Sequence, residues 1–99
     1  MPYSAEDIAN YFIWRVNSDL ESGDNISHLK LQKLVYYAQG FHLAWRGQPL
    51  FREPILSWTH GPVVWELYCC FRSYGSGAIP TPEGYDPTQI DEDTREILE

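Results

Sequence analysis

One uninterrupted stretch constrains the fold more than any other. From His28 to Arg46 the chain has no proline. It opens behind Ser27, a side chain suited to capping a helix start, and stops at Gly47, a natural helix terminator. Leu31, Leu34, Val35, Ala38, Phe41 and Trp45 recur at helical spacing on one side, while Leu29, Tyr36 and Leu43, spaced by sevens, mark the opposite side. A helix apolar on two sides is either central to a core or turns one face to a partner. The central position is the expectation. A chain of 99 residues has room for one domain, and this helix would be its axis.

The remaining segments are shorter. Ser4 can cap a first helix, with Glu6 and Asp7 in its first turn and Ala5, Ile8, Ala9, Phe12, Ile13, Val16 and Leu20 on one arc. Tyr11 and Trp14 fall off that arc, and Ser22-Gly23-Asp24-Asn25 supplies turn chemistry. Pro49 and Pro54 exclude a helix between them, and Ile55-Leu56-Ser57-Trp58 is short and apolar enough to be extended. A small hairpin-like arm over residues 49–58 is expected. Gly61-Pro62 then opens a third helix, with Pro62 at its first position and Gly75 as its stop. Val63, Val64, Leu67, Tyr68, Cys70, Phe71 and Tyr74 share one face of it. Residues 75–87 read as a Gly/Pro-rich loop, and Asp91 can cap a last helical segment that looks cut short at Glu99. The fold class is mainly α, a small helical domain with a central helix and a short β-hairpin-like arm.

Charge narrows the partners. Residues 1–82 carry seven acids and six bases, whereas residues 83–99 carry seven acids against Arg95 alone, for a net charge of −7. No basic stripe is available to neutralise phosphates, so nucleic acid and anionic membrane surfaces are disfavoured. No apolar run reaches a membrane span and no signal pattern opens the chain. Cys69 and Cys70, the two cysteines, are adjacent and form no disulfide framework. A soluble, cytoplasmic protein is expected.

Catalytic patterns are weak. Ser27-His28-Leu29-Lys30 matches a bare S-x-x-K, yet Ser27 is better used as a helix cap. His28, His42 and His60 lack metal-ligand spacing, and His42 reads as a core histidine with one satisfied nitrogen. Cys70 reads as core filler and Cys69 as a partly exposed thiol. There is no phosphate-binding glycine loop, and Asp91, Glu92 and Asp93 sit in an acidic, solvated segment without a cleft. The expectation is no enzyme, no cofactor and no metal.

Aromatic surplus is what remains. Four Trp, seven Tyr and four Phe exceed what a thin core uses, and Trp14, Trp58, Trp65, Tyr11 and Tyr37 fall off the best core arcs. Exposed Trp and Tyr anchor protein interfaces. The alternative for Trp58 and Tyr37 is that they seal the arm against the central helix. Trp14, Trp58 and Trp65, with His60 and Arg72 as polar neighbours, are the candidate partner-binding residues.

The segment Ile26-Ser27-His28-Leu29-Lys30-Leu31-Gln32-Lys33-Leu34-Val35-Tyr36-Tyr37-Ala38-Gln39-Gly40-Phe41-His42-Leu43-Ala44 is similar to the opening signature of the Panacea domain. This is the SocA-like antitoxin family, which includes GepA-type phage-associated proteins. The likeness continues through Gly47-Gln48-Pro49-Leu50-Phe51, Glu53-Pro54-Ile55, Trp58, Gly61-Pro62-Val63-Val64, Leu67-Tyr68, Phe71 and Tyr74-Gly75. The resemblance implies a helical, non-catalytic domain from a bacterial or phage toxin–antitoxin pair that neutralises a cognate toxin by direct binding. It also implies a role as a proteolytic adaptor to ClpXP, and further helices beyond residues 1–99, taken as a single domain. Lys33, Tyr36, Tyr37, Gln39, Gly40, Gly61 and Pro62 match the motif and read mostly as scaffold, Gly40 permitting close helix approach. Trp65 stands where the family often has a smaller residue or proline, which marks it as a partner-specific contact. Two rivals are a DNA-binding transcriptional autoregulator of its operon and a redox protein using Cys69.

Overall fold

Two stretches of backbone settle how the elements meet, and both are held by glutamines. The computed structural model describes residues 3–18, 26–59, 61–74 and 77–98. Among these, α1 spans Ala5–Asn17, α2 His28–Arg46, β1 Ile55–Trp58, β2 Gly61–Val64, α3 Trp65–Phe71 and α4 Glu92–Leu98, with 3-10 turns at Arg72–Tyr74 and Pro87–Gln89. Gln32, buried in α2, grips Val64 of β2, and Gln39 accepts the Leu50 N–H at 2.7 Å while donating to Phe51 O at 2.9 Å. Two glutamines a heptad apart thus stand in for a neighbouring strand along the extended chain.

The helix starts follow the sequence closely. Ser4 and Asp7 form a reciprocal capping box on α1, Ser27 accepts from Lys30 N–H at the start of α2, and Gly47 closes α2 at φ 71°. The expected turn at Ser22–Asn25, Leu20 and the Gly75 stop lie outside the described residues. Asp91 caps α4 as expected, accepting from the Thr94 backbone at 3.1 Å.

The hairpin differs from expectation. Gly61-Pro62 does not begin a helix. These residues open β2, which pairs antiparallel with β1 in the register Ile55↔Val64 to Trp58↔Gly61, and α3 starts only at Trp65. Gly61 sits at φ 128°, a conformation that side chains rarely adopt. Pro62 alternates with Val64, whose N–H points away from β1 to Gln32, so its missing donor leaves the ladder intact. The expected arm over 49–58 therefore becomes one strand plus an isolated parallel bridge between Tyr3 and Phe51.

The core gathers Ile8, Ile13, Ile26, Leu31, Val35, Phe51, Val64 and Leu67, with Ile79 and Ile90 from the later loops. Five side chains depart from the periodicity. Tyr11 is buried, 2% exposed, because Trp14 and Tyr85 wrap the side of α1 that its main arc leaves open. Phe41 and Trp45, expected in the core, are 66% and 82% exposed; of the described residues α4 comes alongside them, through Asp93, Glu96 and Ile97, and leaves both largely open. Cys70 is exposed, not core filler, since α3 meets the core through Leu67 and Phe71. Tyr74, on the 3-10 turn, is also exposed. Nor does Gly40 admit a close helix: among the described residues nothing outside its own stretch of helix lies within 4 Å of where its Cβ would stand.

Candidate functional site

The hairpin delivers α3 directly, with no linker between Val64 and Trp65. Tyr68 lies one turn beyond Trp65 and Arg72 one turn beyond Tyr68, so the three share a face. Trp58, at the last position of β1, packs across them: its ring centroid lies 5.1 Å from Tyr68 and 6.3 Å from Trp65, both edge-on. Trp65 stacks on Tyr68 at 5.5 Å, and the Arg72 guanidinium sits 5.7 Å from the Tyr68 ring centre. Trp65 and Arg72 are exposed, while Trp58 and Tyr68 are half-buried. The arrangement offers an aromatic plate of stacked and edge-on rings with a cation over one of them.

Three of the five sequence candidates, Trp58, Trp65 and Arg72, thus come together. His60 belongs to the connection between β1 and β2 and lies outside the described residues. Trp14 is elsewhere, half-buried between Tyr11 at 5.8 Å and Tyr85 at 6.3 Å. Burial pushes the Tyr85 hydroxyl up to about 12, and that hydroxyl is buried with no hydrogen-bond partner among the described residues.

Tyr68 and His28, neither of them a sequence candidate for binding, join the plate. The His28 ring centre is 6.0 Å from Tyr68. Its Nε2 lies 3.1 Å from Gln32 Nε2, which also donates to Val64 O, so His28 takes the acceptor role. Burial lowers its pKa, in keeping with a neutral ring. The i, i+3 spacing of Trp65 and Tyr68 was the signal for Tyr68; His28 required the tertiary fold. His42 is buried, with Nδ1 2.7 Å from Gln48 O, as the sequence led one to expect.

The carboxylates near the core serve as helix caps. Glu53 accepts the Ala5 N–H at 2.7 Å and Glu66 accepts the Glu6 N–H at 3.1 Å, both at the start of α1. Burial, and then the charges of Glu53, Glu6 and Asp7, raise the Glu66 pKa. Among the described residues no group of three or more His, Cys, Asp or Glu could hold a metal, and no helix is long and apolar enough to cross a membrane.

Beside the plate, α2 leaves an apolar face open. Leu29, Tyr36, Tyr37, Phe41, Leu43 and Trp45 are all exposed. The second stripe of the sequence is therefore surface, and Phe41 and Trp45 of the first stripe join it.

The family described as Antitoxin SocA-like, Panacea domain, matches residues 31–98, more than two-thirds of the chain. The chain belongs to this family. The matched part of the Panacea domain holds the hairpin, α3 and α4, and with them Trp58, Trp65 and Arg72. Antitoxin SocA of Caulobacter vibrioides (strain NA1000 / CB15N) is 44% identical over 50 residues, which cover 50% of this chain. The matched stretch spans 27% of that relative's length. No solved structure matches the chain significantly.

Proposed function

We propose that this Panacea domain is an antitoxin that neutralises a cognate toxin by direct protein binding, without catalysis, and that the plate of Trp58, Trp65, Tyr68 and Arg72 is its contact. The observation that carries the reading is the convergence of Trp58, Trp65 and Arg72 around Tyr68 on one corner. Trp, Tyr and Arg dominate the energetics of protein interfaces: Trp and Tyr cover a large area with few rotatable bonds, and Arg brings a planar, multiply donating charge. Membership of a SocA-like family supplies the toxin as the class of partner. His60, two residues after Trp58 in the sequence, belongs to the same proposal, and Trp14 would form a separate contact.

A toxin held at this plate could be occluded, or handed to a protease such as ClpXP in the cytoplasm. Both outcomes begin with the same binding step. The acidic balance of the chain, −7, disfavours the autoregulator reading, in which a protein face must approach DNA phosphates.

The test is co-expression. The neighbouring open reading frame is induced alone and then with this chain, while growth and a pull-down are scored. Rescue with a stable complex is expected, and Trp65→Ala combined with Arg72→Ala should weaken that complex by about 2 kcal/mol or more. Rescue unaffected by the double substitution would move the contact elsewhere. A harmless neighbour would remove the toxin from the reading.

A further inference from the structure

We propose that the outer face of α2, with the hairpin beside it, forms a groove that receives an acidic amphipathic helix of a partner protein. This rests on the reading of the chain as a protein-binding module, and it adds the shape and charge of what is bound.

The groove is built on α2 itself. Gly40 and Ala44 form its floor, with open space where a Gly40 side chain would stand. Tyr36, Tyr37, Phe41 and Leu43 rise around that floor, and Ile55 of β1 contributes to the same hollow. Leu29 and Phe41 are each 66% exposed and Tyr37 57%, a concentration of apolar surface that marks a binding face. Tyr36 and Tyr37 also line a second hollow that continues past Lys33 to Trp58 and Tyr68. The groove therefore runs along the helix and ends at the aromatic plate. A partner helix placing apolar residues at i, i+3 or i+4, and i+7 fits such a trough.

Charge selects the occupant. Over the whole of α2 the charged residues are Lys30, Lys33 and Arg46, all cationic, in a chain whose net charge is −7. Neither hollow is lined by a carboxylate. The fold already shows one helix beside this face. At its C-terminal end α4 brings Asp93, Glu96 and Ile97 alongside Phe41, Trp45 and Arg46, an acidic helix with apolar residues against a cationic, apolar one. A second copy of this chain fits less well, because two α2 faces would oppose their lysines.

The test uses the intact chain and a displayed library of twenty-residue helices, randomised on both faces and depleted on the Phe41→Glu variant. Recovered helices should combine an apolar stripe with net negative charge. They should bind Tyr37→Glu or Leu43→Glu at least tenfold more weakly, and lose affinity as salt rises. Circular dichroism checks that these exposed substitutions leave the fold intact. Recovery of basic or uncharged helices, or of none, overturns the proposal. So does binding indifferent to Tyr37 and Leu43, or self-association of the chain that Phe41→Glu abolishes. Growth rescue is read separately, so a failed library with successful rescue removes only the acidic helix, and the converse removes only the toxin.

Discussion

The side-chain amide of Gln32 holds Val64 by both of its backbone groups, accepting its N–H at 2.8 Å and donating to its carbonyl at 3.2 Å. Val64 is opposite Ile55 in the ladder but turns these groups to the far side, where a further strand would otherwise lie. A single buried side chain thus fixes the hairpin, and the start of α3, against α2.

Gln32→Ala should therefore destabilise the domain by about 2–4 kcal/mol, since it strands two buried backbone groups. Urea unfolding followed by tryptophan fluorescence measures this. A loss below about 1 kcal/mol would mean that water replaces the amide. Gln39→Ala, which frees Leu50 and Phe51, should behave similarly.

The two glycines that the motif singles out should respond in opposite directions. Gly61 holds a φ of 128°, so Gly61→Ala forces a strained backbone and should cost about 1–3 kcal/mol. Gly40 is helical with open space around it, so Gly40→Ala should stabilise by up to about 1 kcal/mol. Thermal melts of the two variants would separate in sign.

Low pH should act through Asp91. The hydrogen bond from the Thr94 side chain, followed by that from Tyr3, pushes its carboxyl from the ordinary 3.8 down to about 2. Its contribution is complete above about pH 4 and is lost as pH falls through about 2. The stability difference between the parent chain and Asp91→Asn should stay constant above pH 4 and shrink between pH 4 and 2. A difference that persists at pH 2 would place the stabilisation in geometry instead of ionisation.

Both thiols should react with a disulfide reagent without denaturant, because both cysteines are exposed. Partial desolvation, followed by the Glu6 and Glu66 carboxylates, pushes the Cys70 thiol up, and its Sγ lies 3.7 Å from Glu6. In a Cys69→Ser background, Glu6→Gln should speed modification of Cys70 at neutral pH. An unchanged rate would argue that access, not charge, governs the thiol.

Local chemistry made the helix starts legible. Ser4 with Asp7, Ser27 and Asp91 each act on backbone within a turn of themselves, so the sequence suffices to place them. Pro62 was ambiguous for the same reason: its fixed φ suits a first helical turn or an outward strand position, and only pairing with Ser57 decides. Periodicity grouped Phe41 and Trp45 with Leu31 on one core face, yet of these three Leu31 alone is buried. It carries no information on where a neighbouring element stops, and that determines which of them water reaches. The aromatic plate was half legible. Trp65 and Arg72 follow from helical spacing, whereas Tyr68 was expected on the core face instead, and Trp58 reaches them only through the hairpin register.

Tyr3 donates to Asp91 across 88 positions, and the Asp91 N–H returns a bond to the Tyr3 hydroxyl at 2.9 Å. Such a ring closes only after nearly all of the described chain has been made, so its loop-closure entropy is met late. During synthesis α1 and α2 can assemble while Tyr3 still waits for its acceptor. The docking of α4 is then a latch on an existing core, and a cut in the exposed 82–84 stretch would leave two fragments that the latch can rejoin.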